Sequence, residues 1–376
     1  MKVYLDNNST TKPHPQVLKI MNQVADQQYA NPSSTHCMGQ VSKAQLEHAR
    51  QTVALNLNVP TCTICFTSGS TESNNMVIRS KGTGGLVLIS AIEHPSVTTP
   101  AKTLARKWEE IPVDKNGQIT PDLLSKALYH NQNVQLICIM LANNEVGTIM
   151  DIRGLVAVAR ARAPRAHFHC DATQYAGRWY LNVSSLGVDS LCMSAHKFHG
   201  PRGIGVLYCR SPLKSCSFGG GQEHGTRPGT ENLPAIVGLA TALEINVGNK
   251  NKNEQEWKRQ TALRNTLRAA IIHYFPRAQI NGENASALLP NTLSVSIPGL
   301  DSRRLLNSVL CPKGIIVNAG AACSQGKRSR VLEAMGVSSY HENGTFRFAI
   351  SAYTTTAEIK YTIAILEGMA RQQQRQ

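Results

Sequence analysis

Short, continuously apolar runs recur between residues 63 and 209, separated by stretches with helical periodicity. This alternation limits the fold more than any other feature of the chain. The runs are "TICFT" (63–67), "LVLIS" (86–90), "VQLICIML" (134–141), "AHFHC" (166–170), "DSLCMS" (189–194) and "GIGVLYC" (203–209). Their length suits strands rather than helices. Strands apolar throughout need cover on both faces, and strands alternating with helices pair mainly in parallel. The expectation is an α/β fold with a mainly parallel sheet between helices. "TPDLLSKAL" (120–128) predicts one of those helices, with Thr120 as N-cap and Pro121 in the first turn. After about residue 245 the character changes. A polar stretch, "NVGNKNKNEQEWKRQ", merges into a helix through "TLRAAIIHYF". A strand-like run over 292–298, a helix from Asp301, "GIIVNAGAAC", and a last strand and helix from about 345 follow. That is an α+β pattern and predicts a second, smaller unit, with "RQQQRQ" as a frayed tail.

Composition narrows the class. The 376 residues are 41% hydrophobic with 28 glycines, as in a water-soluble α/β enzyme, and no apolar run reaches membrane-spanning length. No signal or transit segment precedes the strand-like start, so a cytoplasmic location is expected. The net charge of +15 would suit an acidic partner or nucleic acid, but the basic residues are dispersed and no nucleic-acid module appears. A solvated basic surface is the preferred reading. Ten scattered cysteines read as reduced thiols rather than a disulfide framework. "CTIC" (Cys62, Cys65) has metal-ligand spacing without a second pair, and "HFHCD" (His167, His169, Asp171) alternates as a strand does. No metal site is expected from either.

Ligands of open α/β sheets collect at the C-terminal ends of strands, where polar residues matter most. In "FTSGSTESNN" (66–75) a strand gives way to a helix near Ser70 and Thr71, whose amides and hydroxyls could hold a phosphate or merely cap the helix. In "HCDATQ", Asp171 follows a strand and could hold a protonated ring nitrogen, or cap the next segment. In "MSAHKFHGPRG", Lys197 sits between His196 and His199; a buried amine is a nucleophile for Schiff bases, whereas most lysines are surface charges. In "SAIEHPSV", His94 could stack on a cofactor ring, or cap a helix. In "NAGAACSQGKRSR", Cys323 lies among small residues beside Lys327, Arg328 and Arg330, cations that favour thiolate. It is the cysteine predicted to react, with Cys37 as the next candidate.

With these residues assembled, the chain closely resembles the cysteine desulfurases and the related selenocysteine lyases. Both belong to the class V aminotransferase group of pyridoxal-phosphate enzymes. The resemblance runs nearly end to end through "YLDNNSTT", "NPSSTH", "FTSGSTESNN", "EHPSV", "LANNEVGTI", "HCDATQ", "SAHKFHGPRGIG", "FGGGQEHGTRPGTEN", "GAACS" and "FRFAIS". It implies a fold-type-I homodimer with a large cofactor-binding domain over 13–248. Residues 1–12 and 249–376 would form the small domain carrying the catalytic cysteine loop.

The resemblance also implies residue roles. Lys197 would carry pyridoxal 5′-phosphate covalently and Asp171 would pair with its ring nitrogen. Gln174 and Asn144 would contact the ring hydroxyl side, and His94 would stack on the ring. Ser70, Thr71, Ser194 and His196 would bind the phosphate, with Thr230 reaching it across the dimer interface. Arg347, with Asn144, would bind the substrate carboxylate. L-Cysteine would yield alanine, and the Cys323 thiolate would take the sulfur as a persulfide for an acceptor protein of unassigned identity. No direct contact with nucleic acid or membrane is expected. Three departures stand out. Asn7, Asn8 and Ser9 replace residues that are often aromatic or small, which is expected to alter the substrate pocket. The loop after Cys323 is shorter and more basic than in many relatives. Ala352-Tyr353 stands where many relatives have Gly-Arg. Selenocysteine lyase is the nearest alternative. A class V aminotransferase would leave Cys323 without a purpose, and a non-catalytic partner would not need Lys197, Asp171, His94 and Cys323.

Overall fold

A computed structural model describes residues 1–131, 133–319 and 328–373. Among them, a seven-stranded sheet carries the first part of the chain. Its strands are β2 (Ile64–Thr67), β3 (Leu86–Ser90), β4 (Lys107–Ile111), β5 (Val134–Cys138), β6 (His167–Asp171), β7 (Ser190–Ser194) and β8 (Gly205–Cys209). They are ordered β2-β8-β7-β6-β5-β3-β4. The pairs from β7 through to β4 are parallel, and β8 runs antiparallel to both its neighbours. The fold is α/β with a mostly parallel sheet, as the alternation predicts. The six expected strands are all present within a few residues. The edge strand β4 was not anticipated: "KWEEI" is polar because an edge faces water and is protected by charge.

Side-chain alternation splits the sheet into two apolar faces. Leu86 and Leu88 join the larger core with Phe168, Cys170, Leu191 and Met193. Val87 and Ile89 join Cys192, Leu136 and Leu207 under the helix Ser70–Lys81. Helix Leu233–Val247, buried along most of its length, packs against helices Pro15–Gln27 and Cys37–Leu57. The helix Pro121–His130 begins as expected, with the Thr120 side chain accepting from the Leu123 amide.

The C-terminal part builds a second core. β9 (Gln279–Ile280), β10 (Thr292–Ser296), β12 (Asn318–Ala319) and β13 (Thr345–Ala349) form an antiparallel sheet ordered β12-β13-β10-β9. Helices Lys250–Tyr274 and Thr356–Gln373 pack together beside it. The first of these starts earlier than its composition suggested, because the Asn249 side chain caps it and its polar residues face water. At the N-terminus β1 (Val3–Tyr4) pairs in parallel with β11 (Ile315–Ile316), and Val3 and Leu5 are buried in this second core. No helix among the described residues is long and apolar enough to cross a membrane.

One buried ion pair pins the glycine-rich segment after β8. Arg50 donates to Glu223 through both terminal nitrogens at 2.8 Å, and Glu223 also accepts the Phe66 amide at 2.8 Å. Both side chains are almost wholly buried, and Glu223 and His224 hold positive φ of 49° and 54° to make the contact. Removing one partner strands a buried charge. Glu223→Ala should therefore cost about 3–5 kcal/mol of stability, read as a lower urea midpoint; a wild-type midpoint would contradict it.

Candidate active site

The strand ends of the large sheet converge on a cavity of about 210 Å³. β2, β3, β5, β6 and β7 all point their C-terminal ends to this side. Of the residues singled out in the sequence, the structure brings Ser70, Thr71, His94, Asn144, Asp171, Gln174, Ser194, His196 and Lys197 together on its wall. Ser96, Met140, Ala142 and Thr173 complete that wall and were not anticipated. Ser96 and Thr173 lie within quoted motifs but look like ordinary turn residues.

Lys197 ends a short 3-10 turn, Ala195–Lys197, directly after β7. Its Nζ donates to the backbone carbonyls of Asn8 and Ser9 at 2.7 and 2.8 Å. His199, for which the sequence offered no role beyond packing or a local hydrogen bond, closes this turn at φ 66°. Its amide donates to Thr11 Oγ1 at 2.8 Å, and its Nδ1 faces the Lys12 carbonyl at 2.8 Å. It therefore fastens the N-terminal arm against the lysine turn.

The second wall is a cup of hydroxyls at a helix start. Gly69, at φ 149°, is the N-cap of the helix Ser70–Lys81 and has no side chain to accept its first amides. A Cβ at Gly69 would lie 3.3 Å from Ser194 Oγ, so the glycine allows close approach. Ser194 Oγ accepts the Ser70 amide at 2.8 Å, and Thr173 Oγ1 donates to Ser70 Oγ at 2.6 Å. Amides, hydroxyls and a helix dipole in one place suit a phosphate. His196 sits beside them with its Nδ1 3.2 Å from Thr10 Oγ1.

Opposite lies the acid. Asp171 accepts from Asn74 Nδ2 at 2.9 Å and from the Thr173 amide at 3.0 Å. His94 caps the helix Pro95–Leu104, its Nδ1 accepting the Ser96 amide at 3.1 Å. That contact leaves the ring proton on Nε2. Burial lowers the His94 pKa, with Asp171 opposing and Lys197 adding to the shift. Gln174 donates through Nε2 to the Asn8 carbonyl at 3.1 Å, while its buried Oε1 has no partner among the described residues. An orphan acceptor between an acid, an amine and a hydroxyl cup fits a phosphorylated pyridine ring bearing a hydroxyl.

Two expected residues lie off this wall. Arg347 is buried behind Asn144, donating to its carbonyl at 3.0 Å and to Asp6 and Ser9 Oγ at 2.6 and 2.8 Å. Thr230 is exposed, outside the cavity of its own chain. Cys323 and Lys327 lie outside the described residues. Of the cations expected to act on Cys323, Arg328 is paired with Glu342 and Arg330 with Glu110. Cys37 is exposed at a helix start away from the cavity wall. The unusual residues Asn8 and Ser9 do not line the cavity: Asn8 turns its side chain to Thr292, Asn144, Asn291 and Arg178. The ring nitrogens of both histidines of "HFHCD" meet Ser190 and Asn74, and no metal-ligand cluster is found among the described residues.

An amine, an acid and a cup of hydroxyls thus meet at the strand ends of an open α/β sheet. Comparison with known proteins gives the family. A model of the class-V aminotransferases matches residues 3–362. A cysteine desulfurase, IscS, of Dictyoglomus turgidum is 36% identical over 97% of this chain and 94% of its own. Cysteine desulfurase 1 of Trichormus variabilis is 36% identical over 97% and 92%. Among solved structures, a NifS-like protein superposes with a TM-score of 0.90 at 34% identity, covering 99% of this chain and 100% of its own. A structure described as SspA in complex with cysteine gives 0.80 at 27% identity, over 94% and 100%. The chain belongs to the class-V aminotransferase family, within its cysteine desulfurases.

The buried histidines make the fold acid-sensitive. Burial depresses His196 and His199 from 6.5 to about 4, and it depresses His167 and His169 as well. Below pH 6.5 the unfolded chain takes up protons at these histidines that the folded chain refuses, so their contribution to stability falls as pH drops from 6.5 towards 4. Burial raises the Glu93 and Glu145 carboxyls, which act in the opposite sense, so the histidine part is read by difference. His199→Phe should make the urea midpoint fall less between pH 7.5 and pH 5 than in the wild type, and an unchanged fall would contradict the depressed His199 value.

Proposed function

We propose that this chain removes sulfur from L-cysteine with pyridoxal 5′-phosphate, releasing alanine and loading the sulfur on Cys323. The observation that carries this reading is the convergence of Lys197, Asp171, His94 and the Ser70–Ser194 cup on one cavity. Family membership supports it. When bound, pyridoxal 5′-phosphate supplies an electron sink for the α-carbon of an amino acid.

The chain's own residues divide the remaining work. Lys197 would hold the cofactor covalently, and its amine would move the α-proton of the substrate. Asp171 holds the ring nitrogen, and Gln174 Oε1 and Asn144 accept the ring hydroxyl side. Ser70, Thr71, Ser194 and His196 would hold the phosphate, and His94 would pack against the ring. Thr230, exposed in one chain, completes the phosphate site of a second copy in a homodimer. Arg347 binds the substrate carboxylate. Asp6 and Ser9 hold its Nη2, and its Nε has no partner among the described residues.

At Cys323 the carbon–sulfur bond of the substrate breaks and a sulfur–sulfur bond forms. Both neighbours of the segment containing Cys323 lie near Arg347 and Asn144. Asn318 pairs in register with Arg347, and Ser329 bonds to Glu145, which adjoins Asn144. The two apolar cores support a division into a cofactor-binding unit over 13–248 and a unit of 1–12 with 249–376, although Val331, Leu332 and Met335 of the second unit pack into the core of the first. A partner protein then takes the persulfide sulfur.

Alanine release from L-cysteine and from selenocysteine, measured in parallel with added pyridoxal 5′-phosphate, tests the substrate. Strong activity on selenocysteine with almost none on cysteine would overturn the choice. Lys197→Ala should lower alanine release by about 10²–10⁴-fold or more, as loss of a proton-moving group does, and should abolish covalent cofactor attachment. Cys323→Ala should abolish persulfide formation; undiminished sulfur release would remove its role.

A further inference from the structure

β6 and β7 carry a polar row of which the proposed chemistry uses only the cavity end, Asp171 and Ser194. Alternation points His167, His169 and Asp171 of β6 to one face, with Ser190, Cys192 and Ser194 of β7 beside them. The register sets His169 next to Ser190 and Asp171 next to Cys192. Helix Ser70–Lys81 covers this row and inserts Asn74, which is fully buried.

Asn74 has no spare hydrogen-bonding capacity. Its Nδ2 donates to Asp171 Oδ2 at 2.9 Å and to Ser96 Oγ at 2.9 Å. Its Oδ1 faces His169 Nε2 at 2.8 Å and accepts from the Cys192 thiol at 3.0 Å. Two donors and two acceptor sites are the full inventory of an amide side chain. Ser96 Oγ in turn lies 2.8 Å from His94 Nδ1. One side chain thus touches both the acid assigned to the ring nitrogen and the serine behind the histidine assigned to the ring face.

The polarity of the chain follows from what each atom can do. A carboxylate only accepts, so the Asn74 amide nitrogen faces Asp171 and its oxygen faces His169. His169 must then donate through Nε2, which leaves Nδ1 to accept the Ser190 hydroxyl at 2.8 Å. Ser190 Oγ has spent its hydrogen, so His167 donates to it through Nε2 at 2.8 Å. Every donor points towards Asp171. Burial keeps His169 neutral, which preserves this order. The titratable and charged groups around the network are Lys197 and the buried Glu93 carboxyl beside Asp171, with Asp189, Lys81, Arg160 and Arg210 at the His167 end.

We propose that Asn74 and His169 are positioning residues that orient Asp171 and His94 through one unidirectional hydrogen-bond chain, and so set how strongly the site holds a pyridine nitrogen. The proposal rests on the cofactor reading above. Losing a donor makes the Asp171 carboxylate a stronger base, so it draws the ring proton towards itself. The Lys197 nitrogen bound to a less electron-poor ring becomes more basic.

The experiment uses the full chain reconstituted with pyridoxal 5′-phosphate, as wild type, His169→Phe, His169→Gln, Asn74→Leu and Lys197→Ala. Two quantities are read: the cofactor Kd, and the pH midpoint of the visible absorbance of the bound cofactor. Asn74→Leu should raise Kd about tenfold, because the carboxylate loses the hydrogen bond that aims it at the ring nitrogen, and His169→Phe, which acts on Asp171 only through Asn74, should raise it by a smaller factor. Both should also move the midpoint up, Asn74→Leu by about one unit. His169→Gln should stay near wild type, because its amide can donate to Asn74 and accept from Ser190. Equal shifts in His169→Phe and His169→Gln would reduce His169 to packing and overturn the proposal, as would no shift in His169→Phe. That pair decides the matter even if Asn74→Leu does not fold. A wild type without a Lys197-dependent band would instead overturn the cofactor reading. A normal wild-type band with unmoved variants removes the relay alone.

Discussion

The N-terminal arm is the piece on which the rest of the site depends, and Asn8 is its fixed point. The Asn8 carbonyl accepts from Lys197 Nζ and Gln174 Nε2. Its side chain is buried and fully used, donating to Asn144 and Thr292 and accepting from Asn291 and Arg178. One residue therefore ties the lysine turn, the loop after β5 and the start of β10 together. A buried amide that leaves any of these groups unpaired costs free energy, so this arrangement resists sliding.

Arg178 supports the same arm from below. It donates to the carbonyls of Asn7 and Lys197 and to Asn8 Oδ1. Among the described residues no carboxylate pairs with it. Burial, with Arg347 nearby, lowers its pKa to about 9. Carbonyl dipoles replace a counter-ion here, and the positive charge remains as part of the electrostatic environment of the cavity. That suits a region assigned to a phosphate and a substrate carboxylate. Arg347, by contrast, is held in place by Asp6, with Ser9 bridging the two. The departures noted at Asn8 and Ser9 thus act on what holds the site rather than on its wall.

Much of the candidate site was legible because its residues stand where strands stop, and strands buried on both faces advertise themselves by unbroken apolar runs. Ser70, Asp171 and Lys197 could be placed that way, and Ser194 through the resemblance. Asn74 could not, because an asparagine inside a helix after a serine-rich turn looks like a surface residue until the sheet beneath it is known. His199 resisted reading for a similar reason: its task is to hold Thr11 and Lys12, which are distant in sequence. β4 escaped because its charge pattern belongs to an edge, and edge position is a property of the assembled sheet.

The sequence by itself determined the layered α/β architecture, the family and the identities of the chemical groups, since periodicity and motif order are local or ordered along the chain. Tertiary structure decided the antiparallel course of β8, the one-way chain from His167 to Asp171, and the anchoring of Lys197 and Arg347 by residues 6–9. The reason is physical. Hydrogen-bond direction and the pairing of buried charges depend on which atoms meet at about 3 Å, and the contact of Arg347 with Asp6 joins residues 341 positions apart.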